Sequence, residues 1–159
     1  MLKQRIYIET TLFNFYFDTE RGLLHESTIA LFHEIAAGKY EAFTSDYVIG
    51  ELLKAPDVKR DKMMSLITEY DITVLDESED AQRFADIYVN EGIIPAKYRT
   101  DGLHIAIAAI NGLDMIISLN FQHIVKTKTR MATAGINISY GCKAIQIYSP
   151  MEVIENEGN

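Results

Sequence analysis

The sequence predicts an α/β fold built on a parallel sheet, and three observations carry that expectation. Short runs rich in β-branched and aromatic residues alternate with helical patterns, which is the signature of βαβ units. No internal repeat or Gly/Ser/Pro-rich linker interrupts the alternation, and 159 residues suit a single domain able to bury a real core. The stretch 101–111 is a helix that is apolar nearly all round, with Leu103, Ile105, Ile107, Ile110 and three alanines, as a buried helix must be.

The elements follow in order. "RIYI" (Arg5 to Ile8) is the first strand, a short helix covers Leu12 to Phe17, and "DTERG" is a loop. Ser27 to Ala37 reads as a helix, with Ile29, Phe32, Ile35 and Ala36 at helical spacing and Gly38 as its stop. "YEAFT" (Tyr40 to Thr44) is the second strand; Ser45 or Asp46 caps a helix over Tyr47 to Lys54, and Pro56 breaks the pattern. A further helix spans Val58 to Glu69, and "DITVL" forms the third strand. Ser78, with Glu79 and Asp80 behind it, starts a helix reaching Val89. "NEGIIPAKYR" is a loop, because Ile94 before Pro95 is pushed out of helical geometry. Thr100 then caps the buried helix, and "MIIS" is the fourth strand. "AIQIYSP" (Ala144 to Pro150) closes the sheet, so residues 1–150 make one domain and 151–159 a C-terminal tail.

Composition narrows the function classes. The chain is 48% hydrophobic and 24% charged, an ordinary globular balance. The formal net charge of −8 argues against broad, nonspecific nucleic-acid binding, which depends on phosphate neutralisation. It is compatible with clustered carboxylates that hold cations, and with a partner carrying a basic segment. The lone Cys142 excludes an internal disulfide and a cysteine-rich zinc site; it reads as a small buried side chain in a reducing compartment. No apolar run approaches the roughly 20 residues of a membrane helix. Met1 leads through Lys3 and Arg5 straight into "IYI", so no signal peptide is expected and the location is cytoplasmic.

Four polar positions converge if the sheet is parallel. The helix before the fourth strand then runs antiparallel to it, placing Asp101 on the same crest as Asn120 beyond the strand's end. Such crests are where open α/β sheets bind ligands. Glu9 directly follows the first strand and shares that crest, although an acid at a helix start also serves as an N-cap. Glu51 sits on the flank of an arc made by Val48, Ile49, Leu52 and Leu53, within reach of the crest, where a solvated surface acid is the plainer alternative. For Asp101 the alternative is an acid–dipole interaction worth ~0.3–1 kcal/mol, and for Asn120 a turn residue. Three carboxylates and an amide form an oxygen-rich set suited to Mg²⁺ or Mn²⁺ rather than zinc.

At these residues the sequence resembles the PIN-domain family, metal-dependent nucleases that include the VapC-type toxins of type II toxin–antitoxin pairs. The likeness runs through "IYIETTLFNFYFD", "TSDYVIGELLKAP", "YRTDGLHIAIAAINGLDMIISLNFQHIV" and "IQIYSPMEVI", most of the chain in order. It implies a three-layer α/β/α PIN-like sandwich of about five strands. The family's acids map onto Glu9, Glu51 and Asp101, and its fourth acid or amide onto Asn120. Thr10 or Thr11 falls where a metal-shell hydroxyl follows the first acid, with Ser118 a weaker candidate of the same kind. The chain departs from the family twice: Glu9 replaces the usual Asp, and Asn120 is neutral.

What the resemblance implies is a divalent-metal-dependent endoribonuclease using Mg²⁺ or Mn²⁺, acting on RNA, with a small antitoxin partner and a homodimeric state. A catalytically weak or inactive PIN-like module that binds RNA or protein is the alternative. Lys126, Lys128 and Arg130, just beyond the fourth strand, are the best-placed cations for an RNA strand, or else a solvated helix face. Lys97 and Arg99 flank Asp101 and either meet phosphate or offset nearby acids. His104 and His123 bracket the crest; His104, on the buried helix, reads as a hydrogen-bonded structural residue. Tyr7, Phe13, Phe15 and Phe17 read as core, and Asp114 lies at the sheet's other end.

Overall fold

The computed structural model describes residues 2–155. Five parallel strands, β1 (Gln4–Ile8), β2 (Tyr40–Ser45), β3 (Thr73–Leu75), β4 (Met115–Ile117) and β5 (Gln146–Tyr148), form one sheet in the order β3-β2-β1-β4-β5. Among the described residues eight helices flank it: α1 (Thr10–Phe17), α2 (Leu23–Ala36), α3 (Asp46–Leu52), α4 (Asp57–Glu69), α5 (Glu79–Asn90), α6 (Arg99–Ile110), α7 (Thr127–Ser139) and α8 (Pro150–Val153). This is the expected α/β/α sandwich, and its sheet is wholly parallel.

Strand order and the right-handed crossover rule explain the layers. The chain steps outward from β1 to β2 and β3, carrying α1 to α4 on one face. It then returns to β4 on the other side of β1 and steps out to β5, which carries α5, α6 and α7 on the opposite face. Order therefore reverses between β1 and β4, and that switch point is where a crevice opens above the strand ends. The central strands are buried on both sides: Ile6, Tyr7, Ile8, Ile116 and Ile117 are all inaccessible. The edge strands β3 and β5 have three residues each.

Local chemistry set most boundaries. Ser45 and Ser78 cap α3 and α5 by accepting the N–H groups of Val48 and Ala81. Pro56 directly precedes α4, where its missing N–H has no partner to lose. Helix α2 starts at Leu23, four residues before the expected Ser27, after a single 3₁₀ turn at Thr19–Arg21.

Three expectations need correction. Thr100 does not cap α6: a 3₁₀ turn at Ala96–Tyr98 runs directly into the helix, which begins at Arg99 with no side-chain cap. Residues 151–153 are not a tail, because α8 opens with a Ser149–Glu152 capping box and packs on α2. The Tyr40 hydroxyl holds the Val153 carbonyl at 2.9 Å; residues 156–159 of the expected tail lie outside the described ones. Finally, α7 occupies a stretch in which the sequence marked no bounded element, only the alternative of a solvated helix face at Lys126, Lys128 and Arg130. Its inward face is Thr129, Thr133 and Asn137, all inaccessible, so it lacks the apolar period by which helices are read.

Among the described residues no helix is long and apolar enough to cross a membrane.

Candidate functional site

The crest at the β1/β4 switch point collects the four polar positions. Glu9 leaves the end of β1, and its N–H extends the ladder to the Ile117 carbonyl of β4 at 3.1 Å. Ser118 and Asn120 leave β4; Glu51 lies on α3, and Asp101 in the first turn of α6.

Glu9 is only 3% exposed. It occupies the N-cap position of α1, yet its side chain makes no capping bond. Instead Oε1 accepts the hydroxyls of Thr11 and Ser118, each at 2.6 Å. Burial pushes its carboxyl above the ordinary value, against the opposing pull of the His104 charge and the two hydroxyls. Thr11 also accepts the Leu119 N–H at 2.8 Å, and Ser118 the Asn120 N–H at 2.9 Å. Both hydroxyls are thereby fixed in direction and aimed at Glu9.

Glu51 is half-buried. Its Oε1 accepts Thr10 Oγ1 at 3.1 Å and lies 2.7 Å from His104 Nε2. Burial works to raise its carboxyl, but the histidine bond and charge outweigh burial and hold it below the ordinary value. Burial likewise works to lower the His104 imidazole, and the bond to Glu51 with the charges of Glu9, Glu51 and Asp101 raises it instead. The other ring nitrogen, Nδ1, is 2.6 Å from the Tyr7 hydroxyl, itself 2.7 Å from Ser45 Oγ. His104 is thus the hydrogen-bonded structural histidine expected, with a contact to Glu51 that the sequence did not suggest.

Asp101 Oδ2 lies 3.0 Å from His123 Nδ1. The His123 ring stacks on Tyr98 with centroids 4.1 Å apart, and the His123 backbone N–H donates to Asn120 Oδ1 at 3.1 Å. Asn120 therefore serves the turn it was weighed for, and a role as oxygen ligand has to share Oδ1 with that N–H.

These contacts order the crest without closing it. In each of the three acids one oxygen is held by the protein, and the other has no hydrogen-bond partner among the described residues. Carboxylates with an unshared oxygen, beside oriented hydroxyls, have the donor chemistry that Mg²⁺ or Mn²⁺ requires. Among the described residues, however, no three His, Cys, Asp or Glu side chains stand close enough together to hold an ion. Glu51 and Asp101 each face a histidine instead.

The remaining candidates lie apart from this centre. Arg130 donates to the Ile147 carbonyl at 3.0 Å and pairs with Glu152 at 2.7 Å, tying α7 to β5 and α8. Lys128 Nζ meets the Gly92 carbonyl at 3.1 Å, and Lys126 is exposed at the start of α7. Arg99 pairs with Asp86 at 2.7 Å and also donates to Gln82, offsetting an acid rather than facing the crest. Lys97 lies 5.6 Å from the Tyr98 ring centroid. Thr10 and Thr11 act on the acids Glu51 and Glu9. Tyr7 and Phe13 are inaccessible, with Phe15 and Phe17 packed against the core. At the far end of the sheet Asp114 accepts the Arg5 N–H at 2.7 Å and pairs with Lys143.

A groove of about 610 Å³ opens beside Glu51, lined by Asp46, Tyr47, Gly50, Lys54, Glu77 and Thr100. No protein-family model matches the chain, and no curated protein matches it.

Proposed function

We propose that the chain is a divalent-metal-dependent endoribonuclease whose centre is the β1/β4 crest. One observation carries this reading: Glu9, Glu51 and Asp101 stand on one crest at the switch point of a parallel sheet, each with one oxygen held and one without a hydrogen-bond partner among the described residues. The resemblance of four segments to PIN-domain nucleases supports it and suggests RNA as the substrate. The same reading includes a small antitoxin partner, a homodimer and a cytoplasmic location.

Glu9, Glu51 and Asp101 would hold Mg²⁺ or Mn²⁺, with Asn120 contributing at their edge. When bound, such an ion supplies positive charge at the phosphate and lowers the pKa of an attacking water. The protein's own part is orientation. Thr11 and Ser118 hold Glu9, while Thr10 and His104 hold Glu51, so the acids meet the ion with little freedom left to lose. Asp101 stands in the first turn of α6, at the positive end of the helix dipole. His104 is clamped between Tyr7 and Glu51 behind the carboxylates.

Those same contacts favour a second reading, a PIN-like module that binds RNA or protein without cleaving. Cleavage of end-labelled total RNA, including tRNA, separates the two. Discrete products with Mn²⁺ that vanish with EDTA and with Asp101→Asn are the expected result. Neither cleavage nor Mn²⁺ binding would leave the binding module.

A further inference from the structure

The geometry points to a path for single-stranded RNA that leaves the crest along the groove between α1 and the start of α4, where Lys59 and Lys62 hold its phosphates. This path rests on the nuclease reading, since it assumes that the strand's scissile bond lies over Glu9 and Glu51.

Two rows of residues run away from the crest together. On α1, Thr10 touches Glu51, and Asn14 and Phe17 follow on the same face one and two turns further on. On the other side Glu51 is followed by Lys54, then by Pro56, Val58, Lys59 and Lys62 across the turn into α4. Between the rows lies a groove of about 440 Å³ lined by Asn14, Phe17, Pro56, Val58, Lys59 and Lys62. Thr10 and Asn14 share one face of α1, and Asn14 Nδ2 donates to the Thr10 carbonyl at 3.2 Å, so this face leads from the crest to the groove.

The lining has the chemistry of a single-strand site. Such sites pair a basic track for the backbone with apolar or aromatic surfaces for bases. Val58 is 71% exposed beside the half-buried Phe17 and the exposed Pro56, an apolar platform left open among the described residues. Lys54, Lys59 and Lys62 are exposed and enter no ion pair among the described residues. The cation between them, Arg60, is bound to Asp57 and Asp61. Asp18, the acid at the groove's end, is neutralised by Arg21 at 3.0 Å. In a chain of net charge −8, a track of free lysines leading from the acidic crest is selective charge complementarity. It also explains how a phosphate chain approaches while Arg130 and Lys128 are engaged elsewhere.

Binding is measured by anisotropy of fluorescein-labelled oligouridylate in EDTA, where no cleavage intervenes, as a function of salt. Each phosphate contact on a single strand contributes about −0.7 to the slope of log affinity against log salt. Lys59→Ala/Lys62→Ala is expected to flatten the slope by about 1.4, a loss of about 25-fold at 0.1 M monovalent salt. Lys59→Arg/Lys62→Arg should restore both, and Lys3→Ala, at the far end of the sheet, should change neither. Unchanged affinity and slope in the alanine pair, with Mn²⁺ cleavage intact, would overturn the groove assignment and leave the nuclease standing. Lysine-dependent binding without cleavage in any metal would do the reverse. A groove that takes poly(Glu,Tyr) peptide but not RNA would belong to a protein partner, and the RNA path would fall.

Discussion

His104 Nε2 sits 2.7 Å from Glu51 Oε1, which couples the buried helix α6 to the acid on α3. Burial favours neither charge, yet the imidazole is raised and the carboxyl lowered, because each is the other's partner. The sign of its pH dependence follows. The Glu51 share of stability is complete above about pH 4.5 and is lost as pH falls through its lowered folded value. The His104 share is complete below about pH 6.5 and is lost as pH rises through its raised folded value. Thermal melts of the native chain and His104→Gln should therefore differ most between these limits and converge on both sides. A gap that widens steadily with pH would contradict the pairing.

Glu9 behaves in the opposite sense. Its folded-state carboxyl is raised by burial, so the folded protein holds the proton more tightly than the unfolded chain, and stability falls as pH rises above about 4.5. Glu9→Gln keeps an oxygen for Thr11 and Ser118 and removes the buried charge. In EDTA the variant should melt higher than the native chain at pH 7–8 and alike at pH 4, while losing any Mn²⁺-dependent activity. A lower Tm at pH 7–8 would count against a destabilising buried charge.

His123 engages Asp101 Oδ2 at 3.0 Å and so competes with any cation for that oxygen. The pair is mostly buried, with side-chain exposures of 14% and 19%. Removing the competitor in His123→Ala should tighten Mn²⁺ binding by about 2- to 5-fold, the worth of an ion pair of roughly 0.4–1 kcal/mol. Titration followed by Mn²⁺ EPR checks this. Weaker binding would mean that His123 positions Asp101 instead of withholding it.

Tyr7 links Ser45 to His104 from within the core. Tyr7→Phe leaves a buried ring nitrogen without its partner, a cost of about 1–3 kcal/mol. That lowers Tm by about 2–4 °C per kcal/mol in a chain of this size. Urea unfolding gives the free energy directly, and a loss below the lower bound would show that His104 finds another partner.

The polar underside of α7 gives a test by double substitution. The Tyr88 hydroxyl donates to Asn137 Oδ1, while Asn137 Nδ2 is buried without a partner. Tyr88→Phe alone should cost about 1 kcal/mol. Adding Asn137→Leu removes the orphaned donor as well and should return most of that loss, because apolar replacement of both partners is close to neutral. Additive losses in urea unfolding would indicate that the leucine does not fit.

What was legible in the sequence was what burial writes into pattern. The strands β1 and β4 bury continuous apolar runs, β2 buries Tyr40, Ala42 and Phe43 around an exposed Glu41, and α6 is apolar nearly all round, so the sheet's centre and the crest followed from them. The bounds of α7 were illegible because its buried face is polar, with Thr129, Thr133 and Asn137 Oδ1 bonded to His123, Thr129 and Tyr88, which leaves no periodic apolar trace. The start of α6 was misjudged because a 3₁₀ turn after Pro95 supplies the entry that a Thr100 cap was expected to give. Within the site, the positions of Glu9, Glu51, Asp101 and Asn120 on one crest followed from topology. That Thr10, Thr11, Ser118 and the two histidines act on those acids depends on side-chain direction, which spacing alone does not encode.

The two boundary strands of the sheet have a consequence for the molecule's behaviour at high concentration. An open sheet exposes ladder groups along both margins, and a long flat margin recruits strands from other molecules. Here each margin is three residues long, bounded by Asp71 and Ile72 before β3 and closed by the Ser149–Glu152 capping box after β5. So short a margin offers too few backbone groups to template a neighbour. Brevity at the rim thus protects a parallel core, rich in isoleucine, that would otherwise favour fibrous self-association.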